Sequence, residues 1–221
     1  GRGPGEWLGI TDFTVDETDR EIIVTADRPY KFLYYDYNGN FLREKTSEAF
    51  YTEITRTTDN ILAINSKVLE PKHYLSLLNE EDHRITVAKK IPLAFTYQGE
   101  FRCRGSYLLK SEHLYFTQNG DYTIYSWDNN RIKPVVTVDF GKYSYNPTQL
   151  NEEPHAPATR NKVLSIINVK EIRSNLFFNT NKIGLFVYNK TRHQIVHAYG
   201  ITNTNLGIVL RIGRISRRPS G

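Results

Sequence analysis

One hairpin pattern recurs four times along this chain, and a repeat of that kind allows few folds. Its clearest copy is DYTIYSWDNNRIKPVVTVDFGKY, Asp121 to Tyr143: a strand, the polar turn Asp128-Asn129-Asn130, and a second strand closing on Asp139-Phe140-Gly141. Each copy reads as a short apolar strand, a polar gap, a second apolar strand, a turn and a third strand. The first copy runs from Ile22-Ile23-Val24 through Phe32-Leu33-Tyr34-Tyr35 and the turn Tyr37-Asn38-Gly39-Asn40 to Phe41-Leu42. Asn-Gly between apolar runs predicts a type I′ hairpin, because both residues tolerate positive φ. The second copy joins Ile61-Leu62-Ala63-Ile64, Tyr74 to Leu78, the turn Asn79 to His83, and Ile85-Thr86-Val87. The third opens at Leu114-Tyr115-Phe116. The fourth opens at Leu176-Phe177-Phe178, passes Leu185 to Tyr188 and the turn Asn189-Lys190-Thr191, and ends on Ile195-Val196.

Each copy also has a candidate lead-in strand: Ile10 to Val15, Tyr51 to Arg56, Phe101 to Leu109, and Val163 to Val169. Four strands per unit, repeated every roughly 40–50 residues, are the signature of a β-propeller. The predicted fold is all-β, with four-stranded antiparallel blades at about 8–45, 48–90, 93–142 and 160–200. Residues 145–161 read as an inter-blade loop with room for a short helical turn, and 201–221 as a basic tail of uncertain structure. No segment sustains a 3.6-residue apolar period, so long helices are not expected. Matching strands start at Ile22, Ile61, Leu114 and Leu176, spacing less even than a WD40 array and closer to a loosely repeating NHL-type propeller.

The totals agree. Aromatic residues make up 13% of the 221, with 15 Tyr and 11 Phe, an excess that favours pleated surfaces. The single cysteine, Cys103, excludes an internal disulfide. No apolar run approaches the roughly 20 residues of a membrane-spanning helix. The chain begins Gly1-Arg2-Gly3 and contains no methionine, which points to a processed start or to a piece of a longer polypeptide. Net charge is +5, but Arg211, Arg214, Arg217 and Arg218 lie in a tail without acidic residues; removing them leaves +1 for residues 1–210. That balance argues against nucleic acid, which needs many phosphate contacts.

No phosphate loop, nucleophile elbow or dinucleotide fingerprint is present. His193 and His197 have i, i+4 spacing but fall on a turn and a strand, so no metal is assigned to them. Asp12, Asp16 and Asp19 lack the ligand alternation of a calcium loop and read as turn aspartates. Cys103 stands between Arg102 and Arg104 with no histidine near it, and reads as an idle thiol. Asn189-Lys190-Thr191 fits a glycosylation acceptor but also a plain hairpin turn.

Gly1-Arg2-Gly3-Pro4-Gly5-Glu6-Trp7 with Asp12-Phe13-Thr14-Val15-Asp16, Tyr35 to Phe41, and Val138-Asp139-Phe140-Gly141-Lys142 resemble passages of six-bladed, NHL-related β-propellers abundant in Bacteroidetes-type bacteria. The likeness covers residues 1 to about 200. It implies an incomplete part of a six-bladed ring, an extracytoplasmic location in the periplasm or on the cell surface, and a lipid anchor in a preceding segment. In such a ring the loop entering each innermost strand crosses one face. Ligand-binding candidates are therefore Arg2, Glu6 and Trp7 in the first entering loop, then Lys45 and Glu48, then Lys89 and Lys90. The expected function is a non-enzymatic binding module for a protein or carbohydrate ligand, without a cofactor. The alternative is a propeller enzyme, a lactonase-like hydrolase or lyase, with a channel metal held by residues such as Glu53, Asp12 and Asn168.

Overall fold

Strands that are apolar at every position, such as Ile61-Leu62-Ala63-Ile64, must be covered on both faces. The computed structural model meets this need with four antiparallel sheets, one per repeat. It describes residues 9–47, 49–58, 60–64, 73–79, 84–90, 106–111, 113–118, 121–128, 131–144, 161–182, 184–200 and 211–214, without the side chains of 73–74, 84–90, 199–200 and 211–214. Blade one contains β1 (Ile10–Asp16), β2 (Glu21–Asp27), β3 (Tyr30–Asp36) and β4 (Phe41–Thr46). Blade two contains β5 (Glu53–Arg56), β6 (Ile61–Ile64), β7 (His73–Leu78) and β8 (Arg84–Lys90). Blade three contains β9 (Leu108–Lys110), β10 (Leu114–Gln118), β11 (Asp121–Asp128) and β12 (Arg131–Thr137). Blade four contains β13 (Ile166–Ile172), β14 (Asn175–Thr180), β15 (Leu185–Asn189), β16 (Gln194–Gly200) and a fifth strand, β17 (Arg211–Arg214). Strands neighbour one another in chain order in every sheet, the meander of a propeller blade. The chain divides into two compact units, Gly1–Arg102 and Cys103–Gly221.

The middle strands carry the core. Phe32 and Leu33 on β3, Phe116 on β10, and Leu176 and Phe178 on β14 are fully buried, as is nearly all of β6. Each such side chain contributes roughly 1.5–3 kcal/mol of burial. The outermost strands β4 and β12 are largely exposed. On β12, Pro134 faces Tyr125 beside a register irregularity, and an edge strand tolerates the missing N–H there. The tail is not structureless throughout, since Arg211–Arg214 pair with β16.

One turn differs in detail from expectation. The Asn38-Gly39 hairpin forms, but only Gly39 takes positive φ, at 83°, so it is not type I′. The Asp36 carboxylate decides this: Oδ1 accepts the N–H groups of Asn38 (2.9 Å) and Asn40 (2.8 Å), and Oδ2 accepts from the Asn40 amide (2.8 Å). Those bonds pull the Asp36 carboxyl below the usual carboxylate value, led by the Asn40 amide. The expected helical turn inside 145–161 falls mostly outside the described residues. A short 3₁₀ turn does occur just before it, at Gly141–Tyr143, entered where Asp139 Oδ1 accepts the Gly141 N–H at 2.7 Å.

Neighbouring blades in each unit are tied along their innermost strands. Between blades one and two, Thr11 Oγ1 donates to Tyr51 O (2.8 Å), Asp12 Oδ2 accepts from Ile54 N (2.8 Å), and Thr14 Oγ1 accepts from Arg56 N (3.0 Å). Between blades three and four, Asn168 N donates to Ser106 O (2.8 Å) while Asn168 Oδ1 accepts from Ser106 N (2.9 Å). Asn168 sits at φ 55° within a bulge of β13, and β1 has an irregularity beside Asp12. Bulges re-aim side chains in this way.

Asp12 and Asn168 are each the third residue of an innermost strand and do the same job, one as a carboxylate and one as an amide. Burial raises the Asp12 carboxyl above its ordinary value, outweighing the N–H donors of Ile54 and Phe13. A native state that holds its proton more tightly than the unfolded chain is favoured in acid, so this group's contribution declines as pH rises through the raised value. Asp12→Asn keeps an acceptor for Ile54 and removes the charge. It is expected to raise the melting temperature at about pH 7 and to flatten the stability profile from about pH 4 upward, read by thermal melts across pH. Asp12→Ala strands the buried Ile54 N–H and is expected to cost about 1–3 kcal/mol in denaturant unfolding at any pH.

Candidate functional site

The end of the seam between blades one and two opens into a cleft of about 190 Å³. Its inner wall starts at Asp16, the last residue of β1. Asp16 Oδ1 accepts the N–H groups of Thr18 (2.9 Å) and Asp19 (3.1 Å), which curls the chain into the β1–β2 turn. Asp16 Oδ2 lies 2.6 Å from Arg56 Nε at the end of β5, and the two side chains are only 4% and 12% exposed. A buried ion pair is costly to desolvate, and here the turn N–H groups share the carboxylate's charge. Asp16 and Asp19 thus belong to the β1–β2 turn as expected, whereas Asp12 lies inside β1 and ties the seam to Ile54.

The opposite wall is built across blade one. Arg43 on β4 grips Glu21 on β2 through both amino groups, at 2.5 and 2.7 Å, a bidentate geometry that fixes the guanidinium plane. Arg43 is the register partner of Tyr34 on β3, so the two share a face, and its Cζ stands 4.0 Å above the Tyr34 ring centroid. Lys45, two residues on, projects to the same face with Nζ 5.6 Å from that ring. Ile23 and Ile61 complete the lining. Three cations, Arg43, Lys45 and Arg56, meet three carboxylates, Asp16, Asp19 and Glu21, so the cleft is balanced in charge.

Of the ligand-binding candidates named from sequence, Lys45 lies in this cleft. It reaches it from the outermost strand β4, not from an entering loop, because the β3–β4 ladder continues as far as Thr46. Lys89 and Lys90 likewise belong to the outermost strand β8 rather than to a loop. Arg2, Glu6, Trp7 and Glu48 lie outside the described residues, as does Cys103. Sequence reasoning missed Arg43, Tyr34 and the Asp16–Arg56 pair, since nothing in the primary structure links residue 16 to residue 56. Of the channel-metal candidates, Asp12 and Asn168 spend an oxygen on a neighbouring strand's N–H, and Glu53 is half-buried on β5. Among the described residues no group of three or more His, Cys, Asp or Glu gathers as a metal site. His193 occupies the β15–β16 turn at φ 50°, with Nδ1 3.0 Å from the Tyr188 hydroxyl. His197 stacks on Phe186 at 4.4 Å, and burial lowers its pKa. Asn189 is absorbed by its hairpin: its amide donates to Asn175 (2.9 Å) and its Oδ1 accepts from Arg192 N (2.7 Å).

The second unit holds a polar cluster that the sequence did not reveal. Glu171 on β13 has a side chain only 1% exposed. Its Oε2 accepts from the Tyr115 hydroxyl at 2.8 Å and lies 2.6 Å from His113 Nδ1, while Oε1 meets the Lys190 ammonium. His113 is 58% exposed, so the buried carboxylate orients an imidazole whose other edge faces outward. The cluster bridges the β9–β10 turn of blade three and the β15–β16 turn of blade four, and it closes their seam as Asp16–Arg56 closes the first.

The chain is similar in structure to a Bacteroides fragilis protein provisionally described as exported, with a TM-score of 0.59 and 17% identity over 88% of this chain and 59% of that one. It is also similar to BamB from Moraxella catarrhalis, with a TM-score of 0.51 and 11% identity over 95% and 62% of the two chains. It therefore spans about three fifths of the length of either structure. At such identities the likeness speaks for the fold, and together with the four antiparallel blades it makes this a β-propeller. No curated protein matches the chain. The family model described as "Domain of unknown function (DUF4934)" matches residues 1–215, and the chain belongs to that family.

Proposed function

We propose that the protein is a non-enzymatic binding module, a propeller that presents its blade seams and connecting loops to a protein or glycan partner. The observation that carries this is the cleft between blades one and two. It is preformed, polar, and flanked by ion pairs anchored on four strands, β1, β2, β4 and β5, and Lys45 stands in its wall. A preformed lining lowers the ordering cost that a ligand must offset on binding. Arg2, Glu6, Trp7, Glu48, Lys89 and Lys90 are proposed as further contacts for an extended partner.

The finer identity belongs to the same proposal. The GRGPGE and VDFGK passages support an NHL-related, six-bladed ring of the Bacteroidetes type, of which these blades form part. Its working place is extracytoplasmic, with a lipid anchor preceding this segment. Support comes from the resemblance to an exported Bacteroides-type protein; among the described residues no helix is long and apolar enough to cross a membrane.

The proposal is tested by titrating the protein against immobilised panels of glycans and peptides. At least one saturable interaction is expected, weakened about tenfold or more by Arg43→Ala or Lys45→Ala. Arg43→Ala should melt close to wild type, because an exposed ion pair such as Arg43–Glu21 contributes only about 0–1 kcal/mol. Asp16→Ala is expected to differ, losing about 3–5 kcal/mol in denaturant unfolding by stranding buried Arg56. Binding that survives both cleft substitutions would move the site elsewhere on the propeller, and silence across both panels would remove the binding-module reading.

A further inference from the structure

Resting on the assignment of the seam cleft as the binding site, we infer that its ligand group is a neutral polyhydroxylated ring, a single sugar residue without net charge. The cleft's own charges carry the argument. Arg56 is committed to Asp16 at 2.6 Å, and Arg43 is committed to Glu21 through two bonds. A carboxylate ligand competing for Arg56 would strand Asp16, whose side chain is only 4% exposed, and one competing for Arg43 would have to open its bidentate pair with Glu21. An ammonium ligand competing for Asp16 would strand Arg56 in the same way. With three cations set against three carboxylates the cleft offers a net-charged group no net attraction, and one that opens the Asp16–Arg56 pair leaves a buried charge uncompensated.

A hydroxyl group avoids that cost, because it donates and accepts at once. Arg56 lines the cleft, and its guanidinium carries five N–H donors, more than its contact with Asp16 uses. Glu21 uses one lone pair on each oxygen for Arg43, and Asp19 stands exposed on the rim; both are acceptors. Donors and acceptors thus face each other across one small space. Adjacent ring hydroxyls can bridge them, one donating to a carboxylate and the next accepting from a guanidinium, without opening either ion pair. The volume of about 190 Å³ suits one ring rather than a long segment.

Three probes share one ring and differ in charge: glucose, glucuronate and glucosamine. Each is titrated into the isotope-labelled full chain while backbone amide shifts are followed by NMR. Glucose is expected to give saturable shifts at Asp19, Glu21 and Arg43, with an affinity nearly independent of salt. Glucuronate and glucosamine should bind about tenfold more weakly. Glu21→Gln, which gives the cleft a net positive charge, should reverse the order in favour of glucuronate and introduce salt dependence. If a charged sugar binds the wild-type cleft more tightly than glucose and weakens with salt, the neutral-ligand inference falls while the cleft remains the site. If no probe shifts the cleft amides, or shifts gather only elsewhere, the cleft itself is lost as the binding site.

Discussion

The seam between adjacent blades is the constraint on which the rest of this structure depends. A four-stranded blade whose middle strand is apolar on both faces has no way to bury itself. Ile61 to Ile64 on β6 and Leu114 to Gln118 on β10 are buried along their whole length. The apolar layer between blades one and two joins Ile23, Phe32 and Tyr34 to Ile54, Ile61 and Ala63. Between blades three and four, Tyr115 and Ile124 meet Ile166, Leu176, Phe178 and Phe186. Apolar contact is non-directional, so on its own it would leave the blades free to slide. The polar ties along the innermost strands set the register: Asp12 to Ile54 in one unit, and Asn168 to Ser106 in the other.

The same seams generate the polar chemistry. Where the innermost strands end, apolar packing gives way and a buried carboxylate takes over: Asp16 with Arg56 in the first unit, Glu171 with Lys190, His113 and Tyr115 in the second. Each carboxylate is satisfied by donors from more than one element, which is the condition for keeping a charge in a low-dielectric seam. The cleft in the first unit is the solvent-facing continuation of that arrangement. Arg43, Glu21 and Lys45 extend an alternation of charge outward from Asp16.

Much of the fold is legible in the residues. The four repeats, the strands within them and the fully apolar middle strands follow from local patterning, because an apolar run bounded by Gly, Asn and Asp is a local signal. Turn details were less legible. At Asn38-Gly39 the dipeptide alone points to type I′, but Asp36 two residues earlier supplies an acceptor that selects a different turn. Lys45, Lys89 and Lys90 were legible as basic positions near blade boundaries, yet their strands run on past Leu42 and Val87 to Thr46 and Lys90, further than the apolar residues alone indicate.

The sequence by itself determined the class of this protein: an all-β chain of four-stranded repeats, without disulfides, balanced in charge before its tail. These properties rest on composition and on neighbours a few residues apart, which the chain carries whether folded or not. Only the tertiary structure decided which aspartate is a turn, which a seam tie and which half of an ion pair. Asp12, Asp16 and Asp19 look alike in sequence, yet they face Ile54, Arg56 and the cleft rim respectively. The roles of Asp12 and Asp16 depend on partners some forty residues away. Only the packing of one blade against the next brings those partners within hydrogen-bond range.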